Sequence, residues 1–157
     1  MDNVAFLRTH IEMLPSFFAP NEVDEIWITF PDPQMKKATK RLTSTFFMQR
    51  YQQIMRVNGL IHLKTDSPFL YAYTQAMLQE NALNIHADTN DLYHAPFVQA
   101  FSEACTLQTH YERQWLDRGM TIKYLCCELS DRSQWIEPQI DIEKDTYRSY
   151  GRNYQVS

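Results

Sequence analysis

A short segment near the start of the chain, FPDPQMKKATKRL at residues 30–42, combines one isolated carboxylate with a cluster of cations. Asp32 lies between two prolines, and four of the six residues at positions 36–41 are Lys or Arg. The preceding residues 26–30 are apolar and β-prone, which predicts a buried parallel strand that ends just before Asp32. Open α/β sheets bind ligands beyond the carboxyl ends of their strands. The segment is therefore predicted to lie at an active site.

The positive charge is concentrated in one region although the formal net charge of the chain is −4. No Asp or Glu occurs between Asp32 and Asp66, whereas seven Lys or Arg do. Basic clusters bind phosphate, and they also occur as solvated helix faces, so both interpretations stay open. The seven cations are Lys36, Lys37, Lys40, Arg41, Arg50, Arg56 and Lys64.

The apolar pattern predicts one α/β domain, for which 157 residues with 44% hydrophobic content are sufficient. Phe47, Tyr51 and Ile54 recur at i, i+4 and i+7, which predicts the buried stripe of a helix. Ser67 and Pro68 predict the start of a second helix. Helical segments are predicted at residues 43–57, 67–81, 97–104 and 111–118, and residues 12–18 are expected to be helical or irregular. Strands are predicted at residues 4–8, 24–30, 60–64, 84–87 and 121–128.

The last part of the chain differs from the rest in composition. Residues 130–157 carry mixed charges and few apolar side chains. We expect this tail to be either an arm packed on the surface or disordered. The folded domain would then occupy residues 1–129.

The cysteines and histidines show no pattern of a disulfide framework or a metal site. Cys105, Cys126 and Cys127 are odd in number, so we expect small buried thiols in a cytoplasmic protein. No stretch predicts a membrane span or a signal peptide. No metal is expected, because the five histidines lack ligand spacing. They are His10, His62, His86, His94 and His110.

Four stretches of the chain resemble motifs of the tRNA (guanine-N7)-methyltransferase family, and they occur in the family's order. They are FPDP with its basic run, residues 63–66 (LKTD), residues 109–112 (THYE) and residues 3–8 (NVAFLR). The resemblance covers roughly residues 3–128. It implies an S-adenosylmethionine-dependent enzyme built on a Rossmann-like class I methyltransferase sheet, mostly parallel with an antiparallel last strand.

The resemblance also implies roles for the matching residues. Asp32 takes the catalytic position near the methyl donor, and Asp32 and His10 fall at cofactor-binding positions, with His10 in place of a family aspartate. tRNA would be bound through Lys37, Lys40 and Arg41. The nucleoside pocket would comprise Lys36, Asp66, Thr109, His110, Tyr111 and Glu112.

Each acidic position has a local alternative that the sequence leaves open. Asp32 could cap a turn between its prolines, and Asp66 could be the N-cap of the helix that starts at Pro68. Glu112 and Arg113 could form a surface pair at a helix end.

The basic motif departs from the family pattern at two places. Gln34 stands where the family usually has tryptophan. Residues 38–39 (AT) replace basic or histidine residues, which implies fewer phosphate contacts.

Glycine is scarce, and this bears on the cofactor. Gly59, Gly119 and Gly151 are the only glycines of the sequence, so the glycine-rich turn that usually cradles a nucleotide is missing. In the family that turn lies upstream of the region matched by residues 3–8. The chain therefore resembles the C-terminal two thirds of such an enzyme, an incomplete sheet. We expect the open edge at residues 26–30 to be covered by a partner chain, in a homo-oligomer, or by rearrangement of the N-terminal segment.

Two functions follow from the resemblance. The first is a methyltransferase that transfers methyl from S-adenosylmethionine to guanine N7 in tRNA, truncated in this chain. The second is a non-catalytic RNA-binding or subunit-like module of the same ancestry. A glycine-rich turn in a longer parent sequence would favour the enzyme.

Overall fold

A four-stranded sheet in the order β1-β2-β4-β3 organises the chain. The computed structural model describes residues 3–96 and 101–146. The strands are β1 (Val23–Thr29), β2 (Met55–Thr65), β3 (Asn84–Thr89) and β4 (Lys123–Leu129). The helices are α1 (Thr45–Tyr51), α2 (Pro68–Glu80), α3 (Ser102–Thr106) and α4 (His110–Asp117), with 3₁₀ turns at Ile11–Ser16, Ala38–Lys40 and Leu92–His94.

Three of the strands run in the same direction. β1 is parallel to β2, whereas β2 and β3 are each antiparallel to β4. The prediction of a mostly parallel sheet with an antiparallel last strand is confirmed. Thr29 pairs with Lys64, and the Phe30 amide donates to the Lys64 carbonyl at 2.8 Å. β1 and β2 therefore end side by side, at what we call the carboxyl edge of the sheet.

Apolar side chains pack on both faces of the sheet. On one face Ile28 and Leu63 belong to a core cluster with residues of α1 and α2, and this cluster includes the predicted stripe Phe47, Tyr51 and Ile54. On the other face Tyr124 and Cys126 pack with residues of α3 and α4. Side chains of β4 are buried on both faces, as expected for an interior strand. The thiols of Cys126 and Cys127 are free and buried, and that of Cys105 is half-buried.

Several predicted element bounds are corrected by the structure. Residues 4–8 do not form a strand: they are exposed and, among the described residues, pair with no neighbour. α1 ends at Tyr51 because the chain turns and enters β2 at Met55, opposite Val23 of β1. β2 is thus longer than predicted. Residues 97–100 of the predicted helix at 97–104 lie outside the described residues, and α3 begins at Ser102.

Residues 130–146, which we call the C-terminal arm, pack along α1 and α2. Trp135 Nε1 donates to Gln52 Oε1 at 2.8 Å, and the Ile136 amide donates to Asn81 Oδ1 at 2.8 Å. Trp135 also packs against the core cluster of α1 and α2. Of the two expectations for the tail, a packed arm is observed up to residue 146. Residues 147–157 lie outside the described part.

No helix within residues 3–96 and 101–146 has the length and apolar content required to cross a bilayer.

Asn81→Ala is expected to loosen the C-terminal arm. Asn81 Nδ2 donates to the carbonyls of Met77 and Ile136, both at 2.8 Å, and Oδ1 accepts from Ile136. Losing these bonds should lower the free energy of unfolding by about 1–3 kcal/mol in urea denaturation. Tryptic cleavage within the arm should accelerate. Gln79→Ala, at an exposed position of the same helix, is the control. Equal stability of the two variants would contradict this role.

Candidate functional site

The loop after β1 holds Asp32 in a sharply turned backbone. Phe30 and Gln34, on either side of it, adopt positive φ angles of 50° and 47°. Such left-handed conformations are uncommon for residues other than glycine and cluster at functional sites. Asp32 Oδ1 accepts from the Gln34 amide at 3.0 Å, so the turn-capping role is present. The residue is exposed, which leaves its carboxylate accessible for a ligand as well.

Arg41 anchors this loop to α2. Its Nε and Nη2 donate to the carbonyls of Gln34 and Met35, each at 3.3 Å. The guanidinium lies over the rings of Phe69 and Tyr73, 4.8 and 4.2 Å from their centroids. Cation–π contacts of this kind contribute about 2 kcal/mol when desolvated. Arg41 is only 9% exposed, so the residue expected to bind RNA instead holds the loop in position.

Of the seven predicted cations, three lysines provide the exposed charge beside Asp32. They are Lys36, Lys37 and Lys40. Arg50 lies 3.5 Å above the Phe46 ring and donates to the carbonyl of that residue. Arg56 pairs with Asp24 at 3.2 Å. Arg50 and the buried Arg41 and Lys64 serve the fold, whereas Arg56 is exposed at the start of β2, the opposite end of the strand from Lys64. The basic surface beside Asp32 therefore consists of the first three lysines.

A pocket of about 610 Å³ opens beside the loop. It brings together Asp32 and Lys36 from the loop and three residues of the C-terminal arm. Its lining residues are Asp32, Gln34, Met35, Lys36, Lys144, Asp145 and Thr146. The volume is within the range of small-molecule and nucleotide sites. We call it the loop–arm pocket.

The end of β2 adjoins this pocket through the first turn of α2. Ser67, not Asp66, is the N-cap, because its hydroxyl accepts from the Leu70 amide at 3.0 Å. The same hydroxyl donates to Asp145, which also accepts from the Phe69 amide at 3.0 Å. Asp66 itself is fully buried at this junction. Sequence reasoning missed Asp145, because it lies in a tail of mixed charges.

Lys123 of β4 stabilises the same junction. Its ammonium donates to the Asp66 carbonyl at 3.2 Å and to the Thr121 carbonyl at 2.9 Å. Burial lowers the pKa of Lys123, whereas Asp66, Asp145 and Asp91 act to raise it. Three carboxylates thus favour the charged form of one buried ammonium, and its bonds to the two carbonyls fix the geometry at the end of β2.

A buried ion pair connects β2 to α4. Lys64 Nζ lies 2.7 and 2.9 Å from the two carboxylate oxygens of Glu112, and both side chains are nearly inaccessible. Glu112 also accepts from the Tyr93 hydroxyl at 2.5 Å. With Thr109 it forms a capping box at the start of α4, with bonds of 3.1 and 3.2 Å. Glu112 is therefore not half of a surface pair with Arg113, because its carboxylate is fully buried.

The four residues 109–112 thus have three different structural roles. Thr109 lines a second pocket of about 250 Å³ near the carboxyl edge, together with Thr29 and Lys64. Glu112 does not line this pocket, because its side chain is fully buried, and it holds Thr109 in place through the capping box. His110 and Tyr111 are exposed on the first turn of α4.

His62 of β2 stacks on Trp27, a residue that lines the second pocket. Its ring is parallel to that of Trp27 with a centroid separation of 3.9 Å, and Nδ1 lies 2.8 Å from the Tyr124 hydroxyl. Burial lowers the pKa of His62, and the carboxylate of Glu25, 3.4 Å from Nε2, opposes this shift. His62 is thus a buried residue of the fold.

His10 is not joined to these groups. It precedes the 3₁₀ turn Ile11–Ser16, which packs against α1, and its side chain is exposed. Among the described residues, no hydrogen bond connects its side chain to the Asp32 loop. The structure therefore brings Asp32, Lys36, Asp66 and Thr109 to the carboxyl edge of the sheet and leaves His10 on an exposed segment before β1.

Comparison with known proteins gives a consistent result. Residues 1–125 match the model of a family described as "Putative methyltransferase". The tRNA (guanine-N(7)-)-methyltransferase of Bacteroides fragilis is 55% identical over 153 residues, which are 98% of this chain and 60% of that protein. The protein of the same name from Porphyromonas gingivalis is 54% identical over 98% of this chain and 62% of its own length. That of Christiangramia forsetii is 47% identical over 80% of this chain and 56% of its own.

These matches confirm the resemblance inferred from the motifs. The chain spans about three fifths of the length of the relatives it matches. The family match ends at residue 125, before the C-terminal arm, whereas the match to the Bacteroides protein covers nearly the whole chain and so includes the arm.

Glu112→Gln should destabilise the protein strongly. It would remove the partner of a buried ammonium, which typically costs about 3–5 kcal/mol. Urea denaturation measures the decrease in the free energy of unfolding, and adding Lys64→Met to the variant should recover part of this decrease. The control is Arg113→Ala, at the exposed neighbouring position, with a change within about 0.5 kcal/mol. A loss below about 1 kcal/mol for Glu112→Gln would show that the pair does not hold α4 on the sheet.

His62 should make the stability depend on pH. Its pKa in the folded state is below the ordinary value of 6.5, so the folded state binds protons less readily than the unfolded state. The contribution of neutral His62 is present above about pH 6.5 and is lost as the pH falls through the lowered pKa. The wild type should therefore lose stability relative to His62→Phe, which keeps an aromatic ring on Trp27, as the pH falls below about 6.5. Parallel pH profiles would refute the assignment.

Proposed function

The chain belongs to the methyltransferase family whose model it matches, and on this premise we propose that it forms the tRNA-binding side of a tRNA (guanine-N7)-methyltransferase. The observation that carries the proposal is the arrangement at the carboxyl edge. An exposed carboxylate, Asp32, and an exposed lysine, Lys36, share a pocket of nucleotide size. The relatives of 53–55% identity are named as enzymes of this activity.

The reaction requires positioning more than acid–base chemistry. Guanine N7 carries an in-plane lone pair and no proton, so methyl transfer to it needs no strong general base. The purine becomes electron-poor as the methyl group is transferred. A carboxylate facing its N1–H and N2–H₂ edge would both orient the base and stabilise the developing charge. The protein's task is therefore to hold guanine in line and to provide that carboxylate.

We assign the direct contact with the reacting purine to Asp32. It is exposed in the loop–arm pocket, and its turn is held rigid through Arg41. Asp66 is fully buried, so its proposed part in the nucleoside pocket is to fix the junction of β2 and α2 beneath the base. Preorganisation of this kind avoids reorganisation during the reaction.

Residues 109–112 would supply a further part of the nucleoside pocket. Glu112 acts through Thr109, because its carboxylate is already bound by Lys64, Tyr93 and the capping box. His110 and Tyr111 present exposed rings on the same turn. RNA-binding proteins often stack unpaired bases on such rings.

tRNA binding outside the pocket is assigned to Lys37 and Lys40. Both are exposed, on the same loop as Lys36. Lysines that neutralise phosphates give an affinity that falls with salt and depends little on sequence. Cytoplasmic localisation follows from tRNA as the substrate in this proposal.

S-Adenosylmethionine is the proposed methyl donor, and it supplies an electrophilic methyl group for attack by guanine N7. The described residues fit only the acceptor side of this reaction. Gly59 lies inside β2, where an added Cβ would come within 3.0 Å of the Asp24 carbonyl, and Gly119 follows α4. Neither belongs to a strand-to-helix turn that could cradle the cofactor. We propose that residues outside this chain, or a partner at the β1 edge of the sheet, complete that half of the site.

The alternative, a non-catalytic RNA-binding module, has no specific support. The relatives that match most of this chain are named as methyltransferases.

Asp32→Asn in the full-length protein should lower kcat about 10²–10³-fold and leave thermal unfolding nearly unchanged, because the residue is exposed and its charge acts on the purine. The assay is transfer of labelled methyl from S-adenosylmethionine to unmodified tRNA, with mass spectrometry identifying 7-methylguanosine. Asp117→Asn, at an exposed position of α4, is the control. Wild-type activity in Asp32→Asn would end the catalytic assignment. No 7-methylguanosine from the wild type would end the proposed function.

A further inference from the structure

The C-terminal arm follows α2 from one end to the other. Its path along α2 begins beside Asn81 at the C-terminal end of the helix, where the Asn81 side chain exchanges hydrogen bonds with the backbone of Ile136. Glu137 then accepts from Tyr73 in the middle of α2, at 2.5 Å, and from Thr45 of α1 at 2.6 Å. Finally, Asp145 reaches the first turn of α2 at Ser67. A helix of 13 residues is about 20 Å long, so the arm crosses the whole helix to reach the carboxyl edge.

Asp145 is the anchor at the end of this path. Its carboxylate is buried and accepts from the Ser67 hydroxyl and the Phe69 amide. The amides of a first helical turn are otherwise unsatisfied, and the positive end of the helix dipole favours a carboxylate there. The charge of Asp145 is therefore compensated within the protein. It does not cancel the charge that the pocket presents to a ligand.

Lys144 and Thr146 flank this anchor and both line the loop–arm pocket. Lys144 is exposed, like Lys36 of the loop after β1. With Asp145 compensated internally, the pocket offers two ammonium groups and one available carboxylate, Asp32. A purine nucleotide within a nucleic acid is complementary to this set, because it has N–H donors on the base and anionic phosphates on either side.

We propose that the C-terminal arm forms one wall of the tRNA-binding pocket, in which Lys144 binds a phosphate beside the target guanosine and Asp145 positions it. This inference rests on the proposed function and adds a binding residue that lies beyond the segment matched by the family. Lys36 and Lys144 would then contact the sugar–phosphate backbone of the tRNA from two sides of the pocket. The backbone at Lys144 is already fixed by Asp145, so less conformational freedom is lost on binding than for a lysine in a free tail.

The competing interpretation is that Lys144 is a solvated surface lysine. The two interpretations of Lys144 predict different salt dependences of tRNA binding. Each neutralised phosphate adds about 0.7–0.9 to the slope of log affinity against log salt concentration. We would measure binding of an unmodified tRNA transcript to the 157-residue chain by fluorescence anisotropy between about 50 and 200 mM salt. The variants are Lys36→Ala, Lys144→Ala and the control Arg56→Ala, which removes an exposed cation at the start of β2.

Lys144→Ala and Lys36→Ala should each weaken binding about 3- to 10-fold and lower the salt slope by about one, and their combination should lower it by about two. Arg56→Ala should leave the slope unchanged. If Lys36→Ala has this effect while Lys144→Ala behaves like Arg56→Ala, the arm is not a wall of the site and the inference fails, although the proposed function stands. If the wild type shows no salt-dependent binding, tRNA recognition by this chain and the inference both fail.

The positioning role of Asp145 has its own test. Asp145→Asn keeps the shape of the side chain and weakens its bonds to Ser67 and Phe69. It should lower the salt slope as much as Lys144→Ala does. The double variant Lys144→Ala/Asp145→Asn should show the same salt slope as either single variant. A purely structural aspartate would instead change thermal stability and leave the Lys144 contribution intact. If Asp145→Asn does not fold, the exposed Lys144→Ala substitution still decides the proposal.

Discussion

The buried ion pair between Lys64 and Glu112 is the constraint on which the candidate site depends. Each charge alone would be strongly unfavourable in the interior, so the two residues must stay together. Lys64 is the penultimate residue of β2, and Glu112 lies in the first turn of α4. Lys64 also donates to the carbonyls of Ala104 and Leu107, at 2.6 and 3.2 Å, which fixes the connection from α3 to α4. One ammonium therefore holds three segments at the carboxyl edge of the sheet.

The same principle recurs around the loop–arm pocket, where buried polar side chains position the exposed ones. Arg41 holds the loop that exposes Asp32 and Lys36, and Asp145 holds the arm that exposes Lys144. Both anchors attach to the first half of α2, so the two walls of the pocket share one rigid support. For the proposed methyl transfer, which is governed by positioning, this arrangement matters more than an unusual pKa. Loops fixed on rigid elements are the usual location of such sites.

The sequence predicted the sheet, its carboxyl edge and the Asp32 loop, because these depend on local patterns: apolar runs, prolines and helix caps. It did not predict which cations are buried. Arg41 and Lys64 occur in a run that resembles a phosphate-binding surface, but ring faces of α2 and a carboxylate of α4 lie close to them only in the folded chain. Asp145 was missed for the same reason, since its partner Ser67 is 78 residues away in sequence. The residue pattern at positions 4–8 is typical of a strand, but a strand forms only where a second strand is available for pairing.

The central claim is that the carboxyl edge of this sheet accepts a guanine nucleotide. The most direct measurement is a titration of the chain with guanosine monophosphate, followed through backbone amide chemical shifts. Our account predicts the largest shifts at Asp32–Lys36, at Ser67 and Phe69, and around Lys144, with little change at Arg56 on the opposite end of β2. Shifts concentrated around Arg56, or none at millimolar nucleotide, would contradict it.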